Sequence, residues 1–425
     1  MARPPPDLTA QQACADGDGL ATATNPEEMT VRPDDAQQLS DSEPWETGRG
    51  TFAELRGSPY QQGLTQGRIA AANIAANVRI TRQVAAELGG GFDHEALTRA
   101  NERFVREASP ATLEEVAGLA DGAGLPYPDL LALNLPAVQT AHFVPRECTQ
   151  LVARPPVTRD GHTYLAKNRD KSRPYRQIVL RRWLDGQRWV VQANVAGSIT
   201  WPGIGVNSDG LALATSGVWS RRTQIDWDSA GRAWLMLNTD LLLRGCATID
   251  DLSAAISAQP RLTPELCLAA DGHGAVVYEI TTDQVSARQV TGPVAVRSNH
   301  AHHSSLADDG PTEAEYPSTY HRWHRADAEL RRRAGQWDTI SLAGLLADHD
   351  GYPEQSLCRH ATGGSGHRTA YSVVVDLDTL GAVALIGNPC KRLRPDPDGT
   401  TCLRHGPGVI VLPAARQAAR SEEEG

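Results

Sequence analysis

Between Tyr60 and Leu88 the apolar residues Leu64, Ile69, Ile74, Val78, Val84 and Leu88 recur at helical intervals, and three glycines at 89–91 supply a stop. The spacing predicts one long amphipathic helix over 60–88. Similar patterns predict helices over Asp93–Glu107 and Pro110–Ala120 and a short one near Leu130, so the front third reads as helical. From residue 148 the texture changes to short β-rich runs, TQLVARP, TYLAKN, QIVLRRWL, WVVQANV and GLALATSGV, separated by RDGH, LDGQ and NSDG turns. That is the pattern of an antiparallel sheet.

Helices are predicted again over 233–245 and 248–258, followed by strands in LCLAA, AVVYEI and VAVRSNH. Two more helices are expected over 318–334 and 339–349, and AYSVVVDLD with AVALIGN reads as a closing hairpin. Strands and helices arriving in blocks, without βαβ alternation, point to an α+β layered domain.

Residues 1–48 are rich in Pro, Asp, Gly and Thr and show no apolar period, so they are expected to form a disordered acidic tail. A single domain is expected over 49–412, with a flexible tail at 413–425. Much of the net charge of −10 lies in the first 50 residues, with ten Asp or Glu against three Arg. The acidic balance argues against a nucleic-acid partner and against anionic membranes, since phosphate neutralisation needs clustered Lys and Arg. No run reaches the 18 apolar residues of a spanning helix, and the start MARPPPDLTAQQ lacks the order of a secretory signal, so a cytoplasmic protein is expected.

The cysteines, at 14, 148, 246, 267, 358, 390 and 402, are odd in number, irregularly spaced and without a CxxC pair. Neither a disulfide framework nor a zinc knuckle follows from them. The histidines of NHAHHSS (299–305) and HRWH (321–324) lack an HExxH pattern or a matching carboxylate cluster, so no metal site is assigned. GIGVNSDG is not a dinucleotide fingerprint, because it lacks the GxGxxG spacing and leads into a strand. No cofactor is called for.

Cys148 stands at the mouth of the first β-rich run, a position that predicts exposure. Its sharpest reading is an N-terminal nucleophile. The chain would cut itself between Glu147 and Cys148, and the freed α-amine, with a pKa near 8, would serve as base for the cysteine's own thiol. In an antiparallel hairpin beginning at Cys148, the returning strand brings Asp170 beside it, where a carboxylate would orient the new ammonium group. Lys167 would lower the thiol pKa through space. Ser216 and Gly217 offer a backbone N–H to a developing oxyanion, and the Asn299 amide offers a side-chain donor to the same charge.

ECTQLVARPPVTRDGHTYLAKNRD resembles the start of the mature chain in the acyl-CoA:6-aminopenicillanate (isopenicillin N) acyltransferase family, peptidase C45, one of the N-terminal nucleophile (Ntn) hydrolases. It resembles the choloylglycine hydrolases less closely. GSPYQQGLTQGR, GVNSDGLALATSG, RSNHA, STYHRWHRADAEL and LADHDGYPEQSLCRH with RTAYSVVVDLD match in kind and order, so the likeness covers most of residues 50–412. It implies a four-layer αββα sandwich of two stacked antiparallel sheets, cleaved into an α chain (1–147) and a β chain (148–425) that stay associated as a heterodimer.

By motif position the resemblance implies Cys148 as nucleophile, Asp170 as its carboxylate partner and Asn299 near the tetrahedral intermediate, with Lys167 and Arg322 toward the substrate. Glu147 departs from the family's pattern, standing where small residues are frequent. The expected activity is amide hydrolysis or N-acyl transfer on a small acyl amide or acyl-CoA, through a thioester acyl-enzyme. The alternative is a catalytically inactive relative that binds a small molecule or partner in the same cleft.

Overall fold

The computed structural model describes residues 51–87, 94–135, 147–220, 230–361, 366–395, 401–404 and 406–414. The expected acidic tail lies outside the described residues, as does most of the expected C-terminal one. The chain starts with β1 (Phe52–Leu55), a strand too short to show a period in the sequence, and five helices follow. These are α1 (Pro59–Ile69), α2 (Ala71–Glu87), α3 (His94–Ala108), α4 (Pro110–Ala123) and α5 (Tyr127–Asn134). The single helix expected over 60–88 is therefore two. Apolar spacing does not reveal the break at Ala70, because Leu64, Ile74 and Val78 keep a helical interval across it.

Helix α1 begins in a capping box: Ser58 Oγ accepts from the Gln61 N–H and Gln61 Oε1 accepts from the Ser58 N–H. It then packs on α4 through paired glycines four residues apart. A Cβ on Gly63 would stand 2.0 Å from the Glu115 carbonyl oxygen, and one on Gly118 would stand 2.0 Å from that of Tyr60. The two backbones touch where side chains are missing. Replacing Gly118 by Ala is expected to lower stability by about 1–3 kcal/mol or more through overpacking. An unchanged urea midpoint would refute so close an approach.

After the helical third come β2 (Glu147–Ala153), β3 (Tyr164–Lys171), β4 (Gln177–Trp183), β5 (Trp189–Val195), β6 (Ile204–Asn207) and β7 (Ala212–Gly217). Helices α6 (Thr239–Gly245) and α7 (Ile249–Ala258) precede β8 (Glu265–Ala270), β9 (Ala275–Ile280), β10 (Val285–Gln289) and β11 (Val294–Arg297). The short α8 (Ser305–Asp308), α9 (Pro317–Arg332) and α10 (Thr339–Leu346) lead to β12 (Arg368–Asp376) and β13 (Ala382–Ile386). Strands β14 (Leu393–Pro395), β15 (Thr401–Leu403) and β16 (Val409–Leu412) end the described chain.

The helix expected from 233 starts only at Thr239, where the Asn238 side chain caps it by accepting from the Leu241 N–H. Residues 233–238 are instead tied to 260–263 by backbone bonds such as Leu262 N–H to Trp234 O. The β12–β13 hairpin forms as expected but does not close the sheet, since β16 pairs outside β13.

One sheet has eight strands in the order β1-β4-β5-β6-β7-β8-β9-β10 and the other has six in the order β11-β2-β3-β12-β13-β16. All pairings within the two are antiparallel except β1 with β4. Between the sheets lie Val152, Leu165, Val179, Val191, Ile204, Leu268 and Val373. Helices α1–α5 cover the outer face of the larger sheet around Leu180 and Val195, and α6 and α7 cover it around Val190 and Leu213. Helices α9 and α10 cover the outer face of the smaller sheet around Leu151, Ala166 and Val374. The chain is thus an α+β protein with a four-layer αββα sandwich. Because both faces of each sheet are covered, strands such as β2 and β5 are buried throughout.

The β2–β3 turn carries His162, whose Nδ1 lies 2.9 Å from Asp376 Oδ2 on β12. That hydrogen bond raises the imidazole pKa to about 9 despite the cost of burial. A raised pKa stabilises the fold fully below the unfolded value of 6.5 and the contribution is lost as pH rises through about 9. His162→Gln is accordingly expected to lower the urea midpoint near pH 6 and to match the parent by about pH 10. A pH-independent difference would assign the effect to packing alone.

Five described cysteines, 148, 246, 267, 358 and 390, are free. Cys402 is disulfide-bonded, a bond that the irregular cysteine spacing gave no means to foresee.

Candidate active site

Strand β2 begins at Glu147, so Cys148 is its second residue. In the β2–β3 ladder Glu147 faces Asp170, Cys148 faces Arg169, Thr149 faces Asn168 and Gln150 faces Lys167. Directly paired residues share a face, so the ladder sorts the site in two. Cys148, Gln150, Lys167 and Arg169 point between the sheets. Glu147, Thr149, Asn168 and Asp170 point toward the layer of α9 and α10.

Hydrogen bonds confirm the sorting. On the inner face Lys167 Nζ donates to the Thr215 carbonyl of β7, Arg169 to that of Pro202, and Gln150 Nε2 to Ser216 Oγ at 3.3 Å. On the outer face Asn168 Nδ2 donates to the Leu346 and Leu357 carbonyls, each at 2.8 Å. The expectation that Asp170 stands directly beside Cys148 needs correction. Asp170 is opposite Glu147, on the other face from the thiol, because a step of one residue along a strand reverses the side-chain direction.

The expected exposure of Cys148 is also corrected: its relative exposure is 8%. Strand β2 is flanked by β11 and β3, and where β11 stops at Arg297 the chain bends beside the start of β2. There Asn299 Oδ1 accepts from the Cys148 N–H at 2.9 Å, extending the ladder by a side chain. Arg322, fully buried on α9, donates to the Cys148 carbonyl at 2.5 Å, to Thr149 Oγ1 at 3.0 Å and to Asn299 Oδ1 at 2.9 Å. Its Nε is 3.2 Å from Ser318 Oγ, one helical turn back.

The Arg322 contact fixes the orientation of the Asn299 amide, since a guanidinium has no acceptor and must meet an oxygen. Asn299 Nδ2 therefore faces the Gly217 carbonyl, to which it donates at 2.8 Å. The sequence reading cast Asn299 as a donor to an oxyanion. Here its N–H is engaged elsewhere, and its oxygen holds the nitrogen of the Glu147–Cys148 peptide.

Glu147 has its own buried seat. Its carboxylate pairs with Arg359 Nη1 at 2.5 Å and accepts from the Tyr316 hydroxyl at 3.3 Å. Arg359 also donates to Ser318 Oγ at 2.6 Å. Asp170 accepts from Thr369 Oγ1 at 2.7 Å, while its second oxygen has no hydrogen-bond partner. Burial pushes the Asp170 pKa up, against the pull of Arg322 and Arg359. Burial likewise lowers the Lys167 pKa to about 8, an effect partly offset by the nearby Cys148.

Arg359, Tyr316 and Thr369 were not singled out from sequence. Arg359 lies in LCRH, a matched stretch, but nothing local marks it as the partner of a residue more than 200 positions away.

Of the histidines set aside as metal ligands, His300 is buried, His302, His303 and His321 are part-buried and His324 is exposed. His300 stacks on His302 and Tyr320, and Glu279 accepts the backbone N–H groups of residues 302, 303 and 304. Burial lowers the His300 pKa to about 4 and the His302 pKa to about 2. Among the described residues the potential metal ligands that do converge are His349, Cys358, His360 and Cys390, on either side of Arg359. The sequence reading assigned no metal site and missed them, because their spacing follows no zinc pattern. No described helix is long and apolar enough to cross a membrane.

The fold and site together define an α+β sandwich with a cysteine near the start of an inner strand. No family model matches the chain, and no curated protein matches it. Among solved structures it is similar to a mutant conjugated bile acid hydrolase from Clostridium perfringens, at 14% identity and a TM-score of 0.39, over 62% of this chain and 96% of that one. It is also similar to a penicillin V acylase from Agrobacterium tumefaciens, at 14% identity and a TM-score of 0.36, over 56% and 83%. Likeness at this level carries over no residue and no activity.

Proposed function

We propose that the protein is a self-processing cysteine Ntn hydrolase that breaks or transfers acyl groups at linear amide or thioester bonds. The observation that carries the reading is the grip on the Glu147–Cys148 peptide. Asn299 and Arg322 hold the nitrogen and carbonyl of Cys148, and Arg359 holds the carboxylate of Glu147. Both residues flanking one peptide bond are thereby held beside a free thiol, which supports an intramolecular attack.

In the maturation step the Cys148 thiol adds to the Glu147 carbonyl carbon, its proton passes to the Cys148 nitrogen, and the C–N bond breaks. A thioester results, and water hydrolyses it to a free Glu147 carboxylate, a thiol and an α-amine. That amine is born on Asn299 Oδ1, an acceptor that would aim its lone pair while leaving it basic. The unpartnered oxygen of Asp170, opposite Glu147, would take a second proton of the ammonium form.

In turnover the amine accepts the thiol proton, Sγ attacks the substrate carbonyl, and the leaving amine or thiol carries the proton away. Water or a second amine then removes the acyl group from sulfur. Lys167 lies on the same face as Cys148, with its ammonium group donating to the Thr215 carbonyl. The substrates are small acyl amides or acyl-CoA thioesters. The chains ending at Glu147 and beginning at Cys148 would remain together, since α1–α5 of the first pack on β4 and β5 of the second and β1 pairs with β4.

N-terminal sequencing of the purified, incubated protein is expected to read Cys-Thr-Gln, and mass spectrometry with acyl amides is expected to find an acyl adduct on that cysteine. Full amide turnover by a chain that never yields this terminus would overturn the reading.

A further inference from the structure

The residues on either side of Arg359 form a second constellation. His349 lies in the turn after α10, Cys358 and His360 in the segment before β12, and Cys390 in the single 3-10 turn (Pro389–Lys391) after β13. One donor atom from each comes within 4.8 Å of all the others. The His349 and His360 Nε2 atoms are 3.1 Å apart, and His360 Nε2 is 3.6 Å from Cys358 Sγ and 3.5 Å from Cys390 Sγ.

These separations have a simple geometric meaning. Donors placed tetrahedrally around Zn²⁺, at about 2.0–2.1 Å for imidazole nitrogen and about 2.3 Å for thiolate sulfur, stand about 3.3 Å apart for two nitrogens and about 3.6 Å for nitrogen and sulfur. The three separations made by His360 Nε2 are close to the edge lengths of that tetrahedron. Both thiols are free. Two soft thiolates with two imidazoles are the donor set that selects zinc over magnesium, calcium or manganese.

We propose that His349, Cys358, His360 and Cys390 form a structural Zn²⁺ site. Four protein donors close the coordination sphere and leave no position for water, so the ion would hold structure and not perform hydrolysis. The surroundings support the assignment. Cys358 is buried, His360 and Cys390 are half-buried, and His349 is exposed, giving the ion a route in from solvent. Asn388 Nδ2 lies 3.6 Å from Cys358 Sγ and donates to the Arg359 carbonyl at 2.5 Å, the kind of outer contact that steadies a thiolate ligand.

The metal would pin a segment that has little regular structure of its own. Arg359 sits between two ligands, and its backbone N–H and carbonyl bond Thr369 Oγ1 and the Thr369 N–H, each at 2.9 Å. Holding residues 358–360 therefore holds both the cation on Glu147 and the threonine on Asp170. That consequence rests on the function proposed above, whereas the metal site itself does not.

Metal content tests the site without reference to catalysis. The full chain, purified without chelator, is expected to carry about one zinc per molecule by elemental analysis. Stripped and refilled with Co²⁺, it should show the visible d–d bands and near-ultraviolet charge transfer of a tetrahedral ion with two thiolates. His349→Ala removes the one exposed ligand with least disturbance to the core and should release metal to a chelator at least 10-fold more readily. Cys390→Ala should abolish the charge-transfer band or reduce it by about half. A chain that holds no zinc and gives no Co²⁺ spectrum, or in which Cys358 and Cys390 are joined to each other, would overturn the proposal. So would retention of the full spectrum by both variants.

Discussion

Replacing Cys148 by alanine is expected to leave one uncut chain and to lower amide turnover at least about 10³-fold, the order seen when a nucleophile is removed from a site of this logic. The effect should be clean. The side chain is small, and the bonds that position residue 148, to Asn299 Oδ1 and from Arg322, are made by its backbone N–H and carbonyl. Alanine preserves both while deleting the thiol proposed to attack. Cys148→Ser should cleave slowly, since a hydroxyl is a weaker nucleophile at the same place. Electrophoresis and N-terminal sequencing decide the matter: an alanine variant that still splits before position 148 would remove the thiol from the mechanism.

Arg322→Met is expected to have the second largest effect. Methionine is long and apolar enough to fill much of the space, but it cannot donate. The Cys148 carbonyl, Thr149 Oγ1 and Asn299 Oδ1 would each lose a charged donor in a buried setting, at roughly 1–3 kcal/mol for an acceptor left unmade. Asn299 would then lose the contact that fixes its amide, and with it the aim of its oxygen at the Cys148 nitrogen. Self-cleavage should fall below detection, with a lower urea midpoint. Arg322→Lys restores a charge but not the planar fork that reaches three acceptors at once, so only part of the cleavage rate should return. Cleavage measured well below both unfolding midpoints separates alignment from stability. A wild-type rate in Arg322→Met would show that the guanidinium only supports the fold.

Much of the framework was legible because it is local. The helices over 94–108 and 110–123 and the strands of β2, β3, β12 and β13 follow from apolar spacing and turn residues. The break at Ala70 and the late start of α6 escaped because apolar residues keep their spacing across a broken helix and line a buried loop equally well. Strands β1, β6, β10 and β16 are only four or five residues long, so they offer too few positions for a period to register.

The sequence by itself determined the chemistry available: a cysteine followed by a hairpin bearing Lys167 and Asp170, an Asn-His motif at 299 and an arginine in the helix near 322. Only the tertiary structure decided how these meet. Register placed Asp170 across from Glu147 and not from Cys148, and the end of β11 delivered Asn299 as an acceptor for the Cys148 nitrogen. Folding also brought Arg359 to Glu147 and gathered His349, Cys358, His360 and Cys390 around one point. The physical reason is common to all of them. A residue's type is set by the chain, whereas the face it occupies and the partner it meets depend on strand register and on contacts between segments far apart in sequence.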